Sequence, residues 1–496
     1  MSHLRSLYGN SLALLTDLYE LTMAYAFWKL DTPPPEAAFH LTFRRNPFDG
    51  GYAIACGLSA VIEFLERFAF DEADLEYLAT LRGNDAKPLF EREFLEHLRN
   101  LRFTCDVDAI PEGTVVFPQE PLLRVTGPVI QCQLLETALL NLTNFETLIA
   151  TKAARICQAA RGENVIEFGL RRAQGIDGGV SASRAAYVGG CVGTSNVLAG
   201  RIFGIPVLGT HAHSWVMSFA DEGTAFRKYA EAMPNNCILL VDTYDSLDGV
   251  RHAVEIGKWL RERGHRLAGV RLDSGDLAYL SIEARKILDS AGFNDTSIVA
   301  SNDLDEHIVA SLKEQGATIN IWGVGTKLAT GHDQGALGGV YKLTAVRWAG
   351  GDWEPRIKLA EQRLKVSIPG KLQVRRFRDG DRWVGDIVYD VDLGIENRRS
   401  LVDPMDATRR KRIAAAATHE ELLVPIFRNG RAVYEAPPLA AIRERARAQL
   451  AQLHPGVRRF VNPHEYPVGL EERLNDVRTR LILEARGRIG GAPSEP

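Results

Sequence analysis

The stretch Leu267-Ala268-Gly269-Val270-Arg271-Leu272-Asp273-Ser274-Gly275-Asp276-Leu277 decides the fold. Its first half is a short apolar run and its second a polar, glycine-containing turn. From Leu277 apolar residues return at helical spacing through 277–291, Gly292 follows as a stop signal, and a new apolar run opens at 297. A run, a polar turn, a helix and another run form a β-α unit, which predicts parallel strands because the helix carries the chain back to the same end of the sheet.

The unit repeats in both directions. Strands are expected at 164–170, 206–213, 237–242, 267–273, 297–302 and 319–325, and helices at 226–232, 247–263, 277–291 and 305–314, with Gly264, Gly292 and Gly316 behind three of them. This is the grammar of a parallel sheet or barrel. Upstream, 128–160 reads as one long amphipathic helix, a structural joint carrying Leu134, Leu135, Ala138, Leu142, Phe145, Leu148 and Ile149. After Gly339 the pattern turns to alternation, predicting antiparallel strands at 340–348, 372–376 and 383–389. The first 127 residues mix helices (59–68, 89–99) with strand-like runs (113–117, 122–126). The expected layout is a catalytic β/α barrel over 128–339, a flanking α+β domain from 1–127 and 340–485, and a disordered Gly- and Pro-rich tail over 486–496.

Composition narrows the partners. The chain has 496 residues, 45% of them hydrophobic, and 59 Lys plus Arg against 63 Asp plus Glu give a net charge of -4. That balance makes a folded core and no global basic field, so neither nucleic acid nor an anionic membrane surface is an expected partner. The six cysteines are scattered without a C-x-x-C pair, which fits neither a zinc ribbon nor a disulfide framework and favours a reducing compartment. Asp17 and Glu20 interrupt the N-terminal apolar stretch too early for a signal peptide, and no window reaches the roughly 18 apolar residues of a membrane span, so a cytoplasmic protein is expected.

Barrels carry their chemistry at the C-terminal ends of the strands. Here those ends read Phe168-Gly169-Leu170-Arg171, Thr210-His211-Ala212-His213, Asp242-Thr243-Tyr244-Asp245, Arg271-Leu272-Asp273-Ser274-Gly275-Asp276, Ser301-Asn302-Asp303 and Gly323-Val324-Gly325-Thr326. Ser, Thr and Asp before a helix are ordinary N-caps, but arginine and histidine are not. Arg171, Arg271 and the amides of Gly323, Gly325 and Thr326 are anion holders. Asp242 and Asp273 are candidates to orient ribose hydroxyls or a hydrated Mg²⁺, and His213 is a candidate nucleophile or base. His211 and His213 share a face if the segment is a strand, which also raises a zinc reading, although later strand ends add no further histidine. The chain carries neither a G-x-x-x-x-G-K-[ST] nor a G-x-G-x-x-G after a first strand, so a nucleotide would bind by another device.

With these residues in place the sequence closely resembles nicotinate phosphoribosyltransferase. The motifs are Thr16-Asp17-Leu18-Tyr19-Glu20-Leu21-Thr22-Met23, Phe168-Gly169-Leu170-Arg171-Arg172-Ala173-Gln174-Gly175, Gly193-Thr194-Ser195-Asn196, Gly209-Thr210-His211-Ala212-His213-Ser214, Val241-Asp242-Thr243-Tyr244-Asp245, Gly269-Val270-Arg271-Leu272-Asp273-Ser274-Gly275-Asp276 and Leu337-Gly338-Gly339-Val340-Tyr341-Lys342-Leu343. The resemblance runs from Leu14 to about Gly370, with a weaker echo at His464-Glu465-Tyr466-Pro467-Val468. It implies an irregular β/α barrel of the type II phosphoribosyltransferase kind, with a flanking α+β domain built from both chain ends, in a homodimer whose active sites are shared. It also implies that nicotinate and phosphoribosyl pyrophosphate give nicotinate mononucleotide and pyrophosphate in NAD biosynthesis, with Mg²⁺ and with ATP hydrolysis coupled through a phosphohistidine. By motif, Tyr19 and Phe168 stack on the pyridine ring, Thr210, Arg271 and Arg171 surround the nicotinate, Gly325 and Thr326 bind phosphate, and His213 is the phosphorylated residue.

Three rival readings follow. A nicotinamide phosphoribosyltransferase shares the fold and the histidine, but is expected to carry aspartate where Ser195 stands, and serine can donate to a carboxylate that aspartate would repel. A metal-dependent hydrolase would use the His211-Ala212-His213 pair. A non-catalytic binding protein would not need the polar strand ends.

Overall fold

A computed structural model of the chain describes residues 11–490, apart from 31, 397 and 398. The described chain divides into two units, Ile149–Gly335 and a second made of the residues before 149 together with those after 335.

The first unit is the β-α repeat. Its strands are β1 (Asn164–Glu167), β2 (Gly193–Thr194), β3 (Ile238–Leu240), β4 (Gly269–Leu272), β5 (Ser297–Ser301) and β6 (Ile321–Val324). They pair in parallel in the order β2-β1-β6-β5-β4-β3. Val165, Leu239, Val270, Ile298, Ala300 and Trp322 are buried, which is why these strands read as apolar runs rather than alternating ones. The helices between them are capped as the sequence implies. Asp245, Asp276 and Asp305 accept from the first helical amides of Ser246–Arg261, Leu277–Ser290 and Glu306–Glu314, and Gly292 follows the second of these helices with φ +77°.

Two expectations for this unit fail. The 206–213 segment is not a ladder strand. Val207 makes an isolated parallel bridge to Thr194, Pro206 has no N–H to extend it, and His213 opens the helix His213–Met217 instead of ending a strand. The sequence reading also missed β2 with its flanking helices Gly175–Val188 and Val197–Phe203, whose Gly- and Ala-rich sequence carries little periodicity.

The joint over 128–160 is two helices, Val129–Leu134 and Glu136–Ala159, and the division between the units falls inside the second rather than at 127/128. Its apolar residues serve two cores in turn. Ala138 and Leu139 join a cluster with Leu41 and Phe43, while Ile149, Ala150, Ala153 and Ile156 are buried in the barrel unit.

The second unit interleaves both chain ends, as expected. Glu36–Phe43 lies antiparallel between Gly339–Arg347 and Leu123–Pro128 in a seven-stranded sheet. A six-stranded sheet joins Leu372–Asp379, Arg382–Asp390 and Val468–Glu471, the last pair parallel. The expected disordered tail is instead helix as far as it is described, since Glu472–Gly490 continues through 486–490, and 491–496 lie outside the described residues. Gly487 sits exposed in this helix, where a Cβ would meet nothing within 4 Å, and one exposed helical glycine costs only about 1 kcal/mol.

Candidate active site

The strand ends of the barrel unit converge on one polar cluster. His213 Nε2 lies 3.2 Å from Asp242 Oδ1, with the imidazole 39% exposed and the carboxyl 1% exposed. The other Asp242 oxygen accepts from the Asp273 amide at 3.0 Å and from Ser274 Oγ at 2.5 Å. Asp242 therefore spends both oxygens on protein donors, which suits it to orienting His213 and bracing the 273–274 turn, and leaves little for a ribose or a metal. Asp273 differs, since Ser301 donates to its Oδ1 while its side chain stays 31% exposed.

Arg271 projects from β4 between these groups. Its Nη1 donates to Thr210 Oγ1 at 2.6 Å and to the His211 carbonyl at 3.4 Å, and Nη2 lies 3.7 Å from Asp273 Oδ1. Its Nε is buried without an acceptor. Burial depresses the guanidinium pKa, and Arg171 adds a second cation close enough to depress it further against the pull of Asp273 and Asp242. Two guanidiniums, the exposed Arg171 and the 13% exposed Arg271, define a place for a carboxylate or phosphate.

The surroundings of Phe168 are closely packed. A Cβ on Gly323 would lie 2.6 Å from the Phe168 ring, and one on Gly169 would lie 2.3 Å from Ala329 Cβ. The glycines are needed because backbone from β1 and β6 meets around Phe168, whose N–H donates to the Val324 carbonyl at 2.8 Å. Gly325 caps the short helix Thr326–Ala329, so Gly323, Gly325 and Thr326 do fall together at the end of β6. Ser195, half-buried, is tied to β1 by its N–H to the Glu167 carbonyl at 2.9 Å. Arg171 is exposed in the one-turn helix Leu170–Arg172.

Beneath this surface lie residues the sequence reading did not name. The buried Glu167 accepts from Ser183 Oγ at 2.9 Å, from Thr194 Oγ1 at 2.6 Å and from the Gly169 amide, fixing the loops that carry Phe168 and Ser195. A carboxylate in the apolar run 164–168 was the available signal. Glu306 likewise takes Lys152 Nζ and Arg155 Nε, each at 2.8 Å, and Lys327 reaches Asp305 at 2.6 Å beside the Thr326 turn.

The two histidines separate cleanly. His211 is buried, its Nε2 accepts from the Leu240 amide at 3.2 Å, its Nδ1 lies 3.3 Å from the Ala212 carbonyl, and burial drives its pKa down to about 4. Both ring nitrogens are engaged, so the His211/His213 zinc pair is not formed. Among the described residues, the close-set group of possible metal ligands is Cys56, Glu112 and Glu146, buried in the other unit, and a thiol does not suit Mg²⁺.

Tyr19 belongs to that other unit, in the helix Leu18–Trp28, and is 46% exposed. Its neighbour Glu20 is fully buried and takes Thr137 N–H at 3.0 Å and Thr137 Oγ1 at 2.6 Å. Burial, then Glu136, Glu20 and Asp17, push the Tyr19 phenol up to about 12, so it remains a neutral hydrogen-bond donor. The echo motif has a structural place here, with Tyr466 stacked on Phe117 at 4.1 Å and bonded to Asp386 Oδ1 at 2.8 Å. A cleft of about 980 Å³ in the same unit is lined by Arg44, Arg45, Arg409, Arg410 and Arg459, a basic surface the sequence reading did not foresee. None of the six cysteines is in a disulfide, and no described helix is long and apolar enough to cross a membrane.

Comparison with known proteins follows these features along the chain. Residues 14–144 match the nicotinate phosphoribosyltransferase (NAPRTase) N-terminal domain, 164–352 the nicotinate phosphoribosyltransferase (NAPRTase) family, and 371–478 the nicotinate phosphoribosyltransferase C-terminal domain. The last match extends the likeness well past Gly370. The Bacillus subtilis nicotinate phosphoribosyltransferase is 43% identical over 488 residues, covering 97% of each chain. The Homo sapiens enzyme is 38% identical over 523 residues, covering 93% of this chain and 95% of its own. The crystal structure of human nicotinic acid phosphoribosyltransferase superposes with a TM-score of 0.81 at 35% identity, covering 94% of this chain and 99% of that one. A nicotinate-nucleotide pyrophosphorylase from Pyrococcus furiosus shares the fold, with a TM-score of 0.68 at 24% identity.

Proposed function

Because the chain belongs to the nicotinate phosphoribosyltransferase family and carries out that transfer in NAD biosynthesis, we propose that it couples the transfer to ATP hydrolysis through a phosphorylated His213, in a homodimer with shared active sites. The observation that carries this reading is the pairing of a half-open imidazole with a buried carboxylate that has no other free oxygen. With Nε2–H donating to Asp242, the lone pair sits on Nδ1. Nδ1 attacks the γ-phosphorus of ATP, the bond to the bridging oxygen breaks, and ADP leaves with its electrons, while Asp242 steadies the developing positive ring. Hydrolysis of the phosphohistidine returns the free imidazole.

The pyridine nitrogen needs no general base, because its lone pair is free. It displaces pyrophosphate from the anomeric carbon of phosphoribosyl pyrophosphate, where positive charge grows on the sugar and negative charge on the leaving group. Arg271 and Thr210, helped by Arg171, hold the nicotinate carboxylate, and Phe168 and Tyr19 select a flat ring. Ser195 tolerates the carboxylate that an aspartate would repel, so nicotinate is the acceptor in preference to nicotinamide. The amides of Gly323, Gly325 and Thr326 face phosphate. Mg²⁺ suits the partly exposed Asp273 with phosphate oxygens, and when bound it neutralises charge on the leaving pyrophosphate. Six cysteines outside any disulfide accord with a reducing, cytoplasmic setting.

The test is transfer of labelled γ-phosphate. Acid-labile, base-stable label is expected on the protein, absent in His213→Asn and present in His211→Gln. Label persisting in His213→Asn would refute the assignment. For the shared site, Tyr19→Ala and His213→Ala proteins, each lacking ATP-stimulated transfer, are mixed under subunit exchange and assayed for that stimulated activity. Recovery of activity is expected, and silence from demonstrably mixed dimers would mean each site is built from one chain.

A further inference from the structure

The structure gives the two histidines, two positions apart, different work. In a parallel ladder alternate amides face opposite neighbours. The Val241 amide reaches the Arg271 carbonyl at 3.1 Å, so the Leu240 amide faces away from β4, on the side where β3 has no paired strand. His211 Nε2 meets that amide at 3.2 Å. A ring that accepts at Nε2 and donates from Nδ1 to the Ala212 carbonyl is neutral and locked in one tautomer. Tyr229 at 4.7 Å and Phe226 at 6.2 Å between ring centres enclose it. On its other flank the same segment leans on β2, through the Thr194 amide to the Pro206 carbonyl at 3.0 Å and the Leu208 amide to the Thr194 carbonyl at 2.9 Å. His211 therefore joins the two ends of the sheet.

The backbone it holds is the one Arg271 reads. Arg271 Nη1 donates to Thr210 Oγ1 and to the carbonyl of His211 itself. We propose that His211 is a positioning residue for the transfer reaction: by standing in for the strand that β3 lacks, its imidazole fixes the 210–211 backbone that aims Arg271 at the pyridine carboxylate. This rests on the reading that Arg271 and Thr210 receive that carboxylate, and is independent of the phosphohistidine.

The experiment measures KM for nicotinate and kcat without ATP in four variants. His211→Gln places an amide oxygen near the position of Nε2, His211→Asn is too short to reach Leu240, His211→Leu removes the acceptor, and Arg271→Gln reports on the carboxylate grip. Asn and Leu are expected to raise KM about tenfold, the scale of one lost hydrogen bond, with kcat little changed, and Gln to restore KM to near the unsubstituted value. A merely structural role would lower the yield of folded enzyme and leave KM alone. Should the Leu variant fail to fold, the Gln and Asn pair decides. Equal KM values for Gln and Asn, with Arg271→Gln raised, overturn the role of His211 alone. An unchanged KM in Arg271→Gln overturns the carboxylate reading, and the inference with it.

Discussion

Two charged clusters, one in each unit, use similar groups to opposite ends. In the flanking unit Arg376 donates from Nη2 to Asp386 at 2.6 Å, Tyr466 donates to the same carboxylate at 2.8 Å, and Glu120 lies alongside, with Arg376, Asp386 and Glu120 fully buried. In the barrel Arg271, Asp273, Asp242 and His213 form a comparable network. Each cluster contains a buried guanidinium nitrogen without an acceptor, Nη1 of Arg376 and Nε of Arg271. Missing hydrogen bonds therefore do not distinguish them. Access does, because Trp383 covers Arg376 at 4.1 Å and Phe117 lies at 5.5 Å, whereas His213 and Asp273 open the barrel cluster to solvent. Both unfilled nitrogens are themselves buried, so what marks the ligand site is the opening of the cluster, with the Arg271 side chain 13% exposed against 0% for Arg376.

The comparison breaks most visibly if the wrong cluster controls stability. Arg376→Met leaves Asp386 buried without its cation and is expected to cost about 3–5 kcal/mol, seen as a lower urea midpoint, with nicotinate KM unchanged in protein that remains folded. A loss of only a few tenths would mean the cluster is not sealed. The barrel counterpart, Arg271→Gln, removes a charged contact worth about 1.5–3 kcal/mol. It should raise nicotinate KM roughly 10- to 150-fold while scarcely moving the urea midpoint, and a large stability loss with normal KM would reverse the two roles. Ser195→Asp sharpens the contrast by adding charge to the open site. Its nicotinate-to-nicotinamide preference should fall about tenfold, as expected for like charges in a partly solvated setting, and an unmoved ratio would remove Ser195 from the site.

The smallest effect is a pH dependence. Burial, then the Asp386 carboxylate, push Glu120 well above the ordinary glutamate range. The folded protein therefore holds a proton that the unfolded chain releases, and this contribution is full below the ordinary glutamate pKa and declines as pH rises toward the displaced one. Glu120→Gln should flatten that decline in urea midpoints measured from mildly acid to alkaline pH. A parallel decline in the variant would place its origin elsewhere.

Much of this was legible in residue order. The strand-turn-helix stretch around Arg271 gave the parallel architecture, because a buried strand must be apolar and a helix start must be capped, and both constraints are local. The reading of 206–213 as a strand failed because its pairing hangs on one bridge to Thr194 and one side chain, His211, reaching Leu240. No local pattern announces a histidine acting as a strand's acceptor. Capping correctly accounts for Asp245, Asp276 and Asp305, but the same rule could not say that Asp242 would face His213.

The sequence by itself determined the two-part architecture, the family, and the set of polar residues that gather at the strand ends, since hydrophobic periodicity, glycine placement and motif order are properties of neighbours along the chain. Tertiary structure alone decided which histidine is buried and which is open, which aspartate is committed to protein donors, and which arginine cluster opens to solvent. Those distinctions depend on burial and hydrogen-bond partners from elements about 30 to 60 residues apart, and burial is what turns identical side chains into groups of different availability.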